Sequence, residues 1–240
     1  MEKNQYNLCL EVLRRLSQAG VLKDIILIGS WCIPFYKDYF GSIEYPTIIK
    51  TRDVDFLVPT PSKTKMKADI PTLLKDLGFI VGFKGAEGYI QLEHADLIVE
   101  FLVPEKGRGL DRPYQLPQFS LNAQALRFLD LLIQDTIKVK IEGIEVNLPH
   151  PANFALHKLI IFQRRTRAEK TLKDKNAAVE ILKALINKGE AAIIKYAFNS
   201  MLPKWQKKAV KGLEEAKERE VLNILTASKS FRHSPKNSNH

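Results

Sequence analysis

Ile28-Gly29-Ser30 and, after a gap, Thr51-Arg52-Asp53-Val54-Asp55-Phe56 are the stretches on which the fold turns. The Gly-Ser pair closes a short apolar run over 25–28. Asp53 and Asp55 sit two apart in a second apolar run with Val54, Phe56, Leu57 and Val58. On a strand, residues two apart share a face, so the two carboxylates converge while Val54 and Phe56 turn to the core. Parallel carboxylates repel, and a cation between them removes that cost. Oxygen-only ligands suit a hard divalent ion, Mg2+ or Mn2+ in its place. A Gly-Ser turn offers backbone N–H groups with no Cβ in the way, which suits a phosphate. The pattern therefore predicts a metal-dependent phosphate site.

The 240 residues allow one large domain or two modest ones, and 45% hydrophobic with 27% charged residues is ordinary for a globular chain. No apolar run approaches the roughly 20 residues that span a bilayer. The first residues, Met1-Glu2-Lys3-Asn4-Gln5, lack a basic segment leading into an apolar one. Cys9 and Cys32 have neither metal-type spacing nor a disulfide framework around them. These features predict a cytoplasmic protein with reduced thiols and no membrane partner. The net charge of +10 is uneven. Residues 1–150 hold 18 Lys+Arg against 19 Asp+Glu, whereas 151–240 hold 19 against 8. Such asymmetry fits either a polyanionic partner, nucleic acid or nucleotide phosphates, or a solvated helical face.

The periodicities predict a helix over 5–19, a strand over 25–28, a short helix over 31–40 and the carboxylate strand over 53–58. A helix over 65–77 follows, then strands over 79–83, 89–92 and 97–103. Residues 105–117 read as a loop, 125–133 as strand or helix, and 137–141 with 144–148 as a hairpin. From Pro151 the period is helical to about Leu225. The predicted organisation is a mixed α/β part over 1–149, a helical part over 150–226 and a disordered tail over 227–240.

Phosphoryl-transfer sites commonly use a third carboxylate. Asp96 and Glu100 are the candidates, four apart on one strand face. Glu100 lies deep in an apolar strand, where an idle carboxylate is costly, and is the choice over Asp96. Lys158 sits inside the largely apolar run over 151–165, whose stripe is Leu156, Leu159, Ile160 and Phe162, with Arg165 seven residues on, nearly on the same face. Turned to a cleft, the two would neutralise a triphosphate; otherwise Lys158 snorkels to solvent. Asp174 fits either an ion pair with Lys158 or Arg165, or a helix-start acid. His157 has no second His at ligand spacing and reads as structural. Phe35, Tyr36, Tyr39, Phe40 and Tyr45 fit either base stacking or packing.

Gly-Ser, a hydrophobic-flanked Asp-x-Asp and an acidic residue on a later strand resemble the DNA polymerase β-like nucleotidyltransferase superfamily. The stretches "ALHKLIIFQRR" and "KDKNAAVEIL" extend the resemblance to a bacterial family similar to the nucleotidyltransferase toxins of abortive-infection systems. The resemblance covers roughly 20–190. It implies an α+β core with a small mixed sheet and a C-terminal helical domain, the two forming a cleft. It also implies a Mg2+-dependent enzyme that moves a nucleoside monophosphate from an NTP to an acceptor hydroxyl with pyrophosphate release. The acceptor would be RNA such as tRNA, a protein or a small molecule, and a cognate partner protein would be expected. Gly29 and Ser30 would hold the triphosphate, Asp53 and Asp55 one or two Mg2+ ions, and Glu100 would bind the second metal and help deprotonate the acceptor. Lys158, Arg165 and Asp174 would match the helical set of the toxin-like relatives. The Ser30 to Asp53 gap implies an inserted loop over about 38–51, and Glu in place of Asp at position 100 is a departure. The alternative is a catalytically degenerate nucleotide-binding module acting as antitoxin or regulator.

Overall fold

The computed structural model describes residues 3–45, 47, 51–61, 66–107 and 112–226. The predicted tail over 227–240 lies outside them. Helix α1 (Lys3–Gln18) buries Cys9, Val12, Leu13 and Leu16 along one stripe and stops at Gly20, whose φ of 69° suits a residue without Cβ. Strand β1 (Ile26–Ile28) follows, and a 3-10 turn, Gly29–Trp31, leads into α2 (Cys32–Phe35) and α3 (Lys37–Phe40). The single helix expected over 31–40 is thus broken. Tyr36 sits at the break, fully buried, its hydroxyl donating to the Pro149 carbonyl at 2.8 Å.

Strand β2 (Asp53–Leu57) and α4 (Ile70–Lys75) come next. Helix α4 is shorter than the 65–77 expected. Asp69 caps it by accepting from the Thr72 N–H, and the preceding Ala68 N–H is taken by the Gln118 carbonyl instead of a helical turn. Residues 62–65 lie outside the described residues. Strands β3 (Ile80–Lys84), β4 (Tyr89–Glu93), β5 (Ile98–Pro104), β6 (Tyr114–Leu116) and β7 (Leu121–Leu126) complete the main sheet. Strand β6 lies in the expected loop over 105–117; it is three residues long between Pro113 and Pro117, too short to show a period. Residues 125–133 supply both alternatives, the end of β7 and the short helix α5 (Asp130–Ile133). Strands β8 (Thr136–Ile141) and β9 (Ile144–Pro149) form the expected hairpin.

The sheet order is β1-β2-β5-β4-β3, with β7 also beside β5 and β6 beside β7. Strand β2 runs parallel to β5, and β1 antiparallel to β2, so the sheet is mixed. One face carries Val54, Phe56, Val99 and Phe101 into the principal core, where the Phe56 and Phe101 rings stack at 5.5 Å and Phe119 lies 6.3 Å from Phe101. The other face carries Asp53, Asp55 and Glu100, and further along the same strands Leu57 and Leu102 pack under Leu129 and Leu132 beside α5. The carboxylate face is therefore polar at one end and apolar at the other.

Helices α6 (Pro151–Ile161), α7 (Ala168–Asn187), α8 (Ala191–Asn199), α9 (Pro203–Ala216) and α10 (Arg219–Thr226) make the helical part. Pro151 at the first position and the His150 ring, whose Nδ1 accepts from the Ala152 N–H at 3.1 Å, start α6 where the hairpin ends. Gly212 lets α9 lie on α6; a Cβ there would stand 2.7 Å from the Leu159 carbonyl oxygen. The aromatic group after Trp31 is packing: Tyr36 meets Phe154 edge-on at 5.6 Å, and the Phe40 and Tyr45 rings are 4.8 Å apart. Tyr45 folds back within the 38–51 loop to donate to the Ile33 carbonyl; residues 46 and 48–50 of that loop lie outside the described residues.

Candidate active site

The strand register builds the first wall. Asp55 pairs across the ladder with Glu100, and Asp53 with Ile98, so Asp53, Asp55 and Glu100 share one face as β-periodicity requires. On the other side of Asp55 the register brings Ile28, and Gly29 follows immediately. Gly29 has φ 74°, and a Cβ at that position would lie 2.5 Å from Asp55 Oδ2. Only glycine allows the turn to approach the carboxylate so closely. Ser30, within the same turn, also lines the cavity.

The cavity in front of these residues has a volume of about 670 Å3, within the range of small-ligand sites. Its opposite wall is helical and cationic: Lys158 on α6, Arg165 just beyond it, and Lys173 and Asp174 on α7. Lys158 Nζ lies 2.5 Å from Asp174 Oδ1, and Arg165 Nε lies 2.8 Å from Asp174 Oδ2. Asp174 thus takes the ion-pair option and not the helix-start one; it is the seventh residue of α7 and only 4% exposed. Arg165 is not on the helical face of Lys158, because α6 ends at Ile161 and passes through a 3-10 turn. The two cations meet through Asp174.

The electrostatics follow from these positions. Burial, then Glu100 and Asp53, push the Asp55 carboxyl up to about 7, although it keeps some exposure to the cavity. Burial alone would also raise Asp174, but Lys158 and Arg165 hold it below its ordinary value. Burial, with Lys158 beside it, pulls His157 down to about 3. His157 lines the cavity as a neutral ring and is not poised for proton transfer near neutral pH. Lys173 is lowered by burial and by Lys158.

Asp96 precedes β5, its side chain 3.8 Å from the His94 ring and its carbonyl accepting from Gln5; it does not line the cavity, whereas Glu100 does. Glu100 is not idle: Lys84 Nζ stands 3.0 Å and 3.3 Å from its two oxygens. As the side chains lie, no group of three His, Cys, Asp or Glu among the described residues is gathered as a metal cluster. The donor set nevertheless fits a hard divalent ion. Three carboxylates crowd one sheet face, and Asp55 is reluctant to ionise without an added positive charge.

Several cavity residues carried no signal in the sequence. Lys84 belongs to an ordinary-looking edge strand. Phe128 stands in the left-handed region at φ 71°, with the Arg164 guanidinium 5.4 Å from its ring centre and Trp205 edge-on at 5.5 Å. Arg127 pairs with Glu105 at 2.8 Å at the same apolar end. Only the positive φ of Phe128 marks that corner as unusual, and it is not legible in residue type.

With this geometry in hand, comparison with known proteins places the chain. A family model described as nucleotidyltransferase matches residues 7–202. The chain belongs to that nucleotidyltransferase family, and is an enzyme of that class. No curated protein matches it. Among solved structures it is similar to the crystal structure of ANT(2")-Ia in complex with adenylyl-2"-tobramycin, at 13% identity and TM-score 0.47 over 82% of this chain and 99% of that one. It is also similar to an antigenic nucleotidyltransferase-like protein from Paracoccidioides brasiliensis, at 13% identity and TM-score 0.47 over 92% and 93% of the two chains. Among the described residues no helix is long and apolar enough to cross a membrane.

Proposed function

We propose that the protein transfers a nucleoside monophosphate from an NTP to an acceptor hydroxyl, releasing pyrophosphate. The observation that carries this reading is the cavity with an acidic sheet wall, Asp53, Asp55 and Glu100, facing a cationic helical wall, in a chain of the nucleotidyltransferase family. Asp53 and Asp55 would hold Mg2+, or Mn2+, which when bound would supply positive charge at the reacting phosphate. Gly29 and Ser30 present the β1 turn to the triphosphate, with Gly29 close against Asp55. Glu100 takes the acceptor hydroxyl's proton on a carboxylate oxygen. Arg165, with its side chain 39% exposed, and Lys173 offset charge on the leaving pyrophosphate. Lys158, 5% exposed, acts chiefly through Asp174, which fixes Arg165. Residues 1–149 would then be the catalytic core and 150–226 the helical wall that closes it.

On the likeness of Lys158, Arg165 and Asp174 to the toxin-like set, the reading extends to a cytoplasmic, toxin–antitoxin-like role with a cognate partner protein. The acceptor is tested directly. The protein is incubated with each labelled NTP and Mg2+ in the presence of total tRNA, of the protein alone, or of an aminoglycoside. Label should move to one acceptor, and the Asp53→Ala variant should lose that transfer while keeping its fold. Full turnover by Asp53→Ala would sink the assignment. Saturable NTP binding without transfer to any acceptor would favour the degenerate module.

A further inference from the structure

We propose that Lys84 is a resident cation of this site, holding Glu100 so that the centre takes one divalent ion, between Asp53 and Asp55, and not two. The inference rests on the nucleotidyl-transfer reading and deepens it. Its basis is the sheet register. Asp55 pairs with Glu100, Glu100 with Gln91, and Gln91 with Gly82, which sets these four residues in one row across β2, β5, β4 and β3. Residues two apart on a strand share a face, so Lys84, two beyond Gly82, projects from the same face as Asp55 and Glu100. Its long stem crosses the width of β4 and delivers the ammonium to both Glu100 oxygens, at 3.0 Å and 3.3 Å.

The partners differ in freedom. The Glu100 side chain is 13% exposed, and that of Lys84 is 48% exposed. A carboxylate so enclosed needs a counter-charge, and Lys84 supplies it before any ion arrives. Lys84 compensates Glu100 directly, which leaves Asp53 and Asp55 as the pair of carboxylates on this face without that partner. A second ion bridging Asp55 and Glu100 would have to displace Lys84 from both oxygens. Lys84 is a positioning residue here. It keeps the third carboxylate out of the metal's coordination and presents it to the acceptor.

The test counts ions directly. Mn2+ bound per chain is measured by electron paramagnetic resonance in the ternary complex with an NTP analogue whose α–β bridge cannot be cleaved. The wild type should hold one Mn2+, Lys84→Met two, and Lys84→Met combined with Glu100→Gln one again. Two ions in the wild type, or still one in Lys84→Met, would overturn the role of Lys84; if label transfer persists in that wild type, the transfer reading stands. Absence of any protein-dependent Mn2+ in the wild type would overturn both.

Discussion

Replacing Asp55 by Asn in the metal-free protein should raise its stability while removing transfer. Asp55 is hemmed in by Gly29, by Glu100 across the ladder and by Asp53 two residues away. Burial first, then Glu100 and Asp53, carry its pKa from 3.8 to about 7. A tenfold change in acidity is worth about 1.4 kcal/mol, so full ionisation in the folded state costs up to about 4 kcal/mol. Asp55 keeps some contact with the open cavity, which screens the charge and brings the expected cost to about 1–3 kcal/mol. The sign follows from proton counting. Between about pH 4 and about pH 7 the native chain retains a proton that the unfolded chain has released, so wild-type stability falls as pH rises through that window. Asparagine keeps the shape and has no charge to impose that cost.

The assay is denaturant unfolding followed by circular dichroism, with chelator present, at about pH 5 and about pH 8. Asp55→Asn should exceed the wild type by about 1–3 kcal/mol at the higher pH, a shift of roughly 3–9 °C in a chain of this size. At the lower pH the gap should shrink to less than half. Added Mg2+ should then raise the wild-type midpoint and leave the variant's unchanged, as binding to the native state alone predicts. A variant less stable than wild type at the higher pH, or a gap indifferent to pH, would refute the reasoning.

Other perturbations test the remaining parts of the site. Asp174→Asn strands the Lys158 ammonium in a buried setting and should cost about 3–5 kcal/mol in unfolding free energy; pairing Asp174→Leu with Lys158→Met should restore much of it. The depressed Asp174 pKa contributes stability that is present above the ordinary carboxylate range and lost as pH falls through the folded value, so Asp174→Asn should flatten the acid limb of the stability profile. His157 is held neutral, so the stability it supports is complete above about pH 6.5 and declines as pH falls toward about 3. His157→Gln should remove that slope in the same unfolding series and leave the pH profile of transfer unshifted. Gly29→Ala places a methyl 2.5 Å from Asp55 Oδ2 at φ 74°, and should cost about 1–3 kcal/mol with a drop in NTP affinity measurable by calorimetry.

What residue order discloses, and what it does not, divides along one physical line. Local periodicity assigns faces: alternation around Val54 and Phe56, and around Val99 and Phe101, is enough to set Asp53, Asp55 and Glu100 apart from the core. Periodicity does not assign pairs. That Asp55 lies opposite Glu100, while Asp96 precedes β5 beside His94, is decided by the parallel register of β2 and β5, strands some forty residues apart in sequence. The helix reading of Arg165 failed for the same reason in reverse. Seven-residue spacing would have put it over Lys158 had α6 continued, but the helix ends at Ile161 and the meeting is made by Asp174 on the next helix. Lys84 is the extreme case. In sequence it is a lysine near the end of a short strand, and nothing local ties it to Glu100. Its position over the carboxylates exists only because β4 and β3 are laid outside β5 in that order. The motif therefore announces three carboxylates, while the lysine paired with one of them is brought there by the topology.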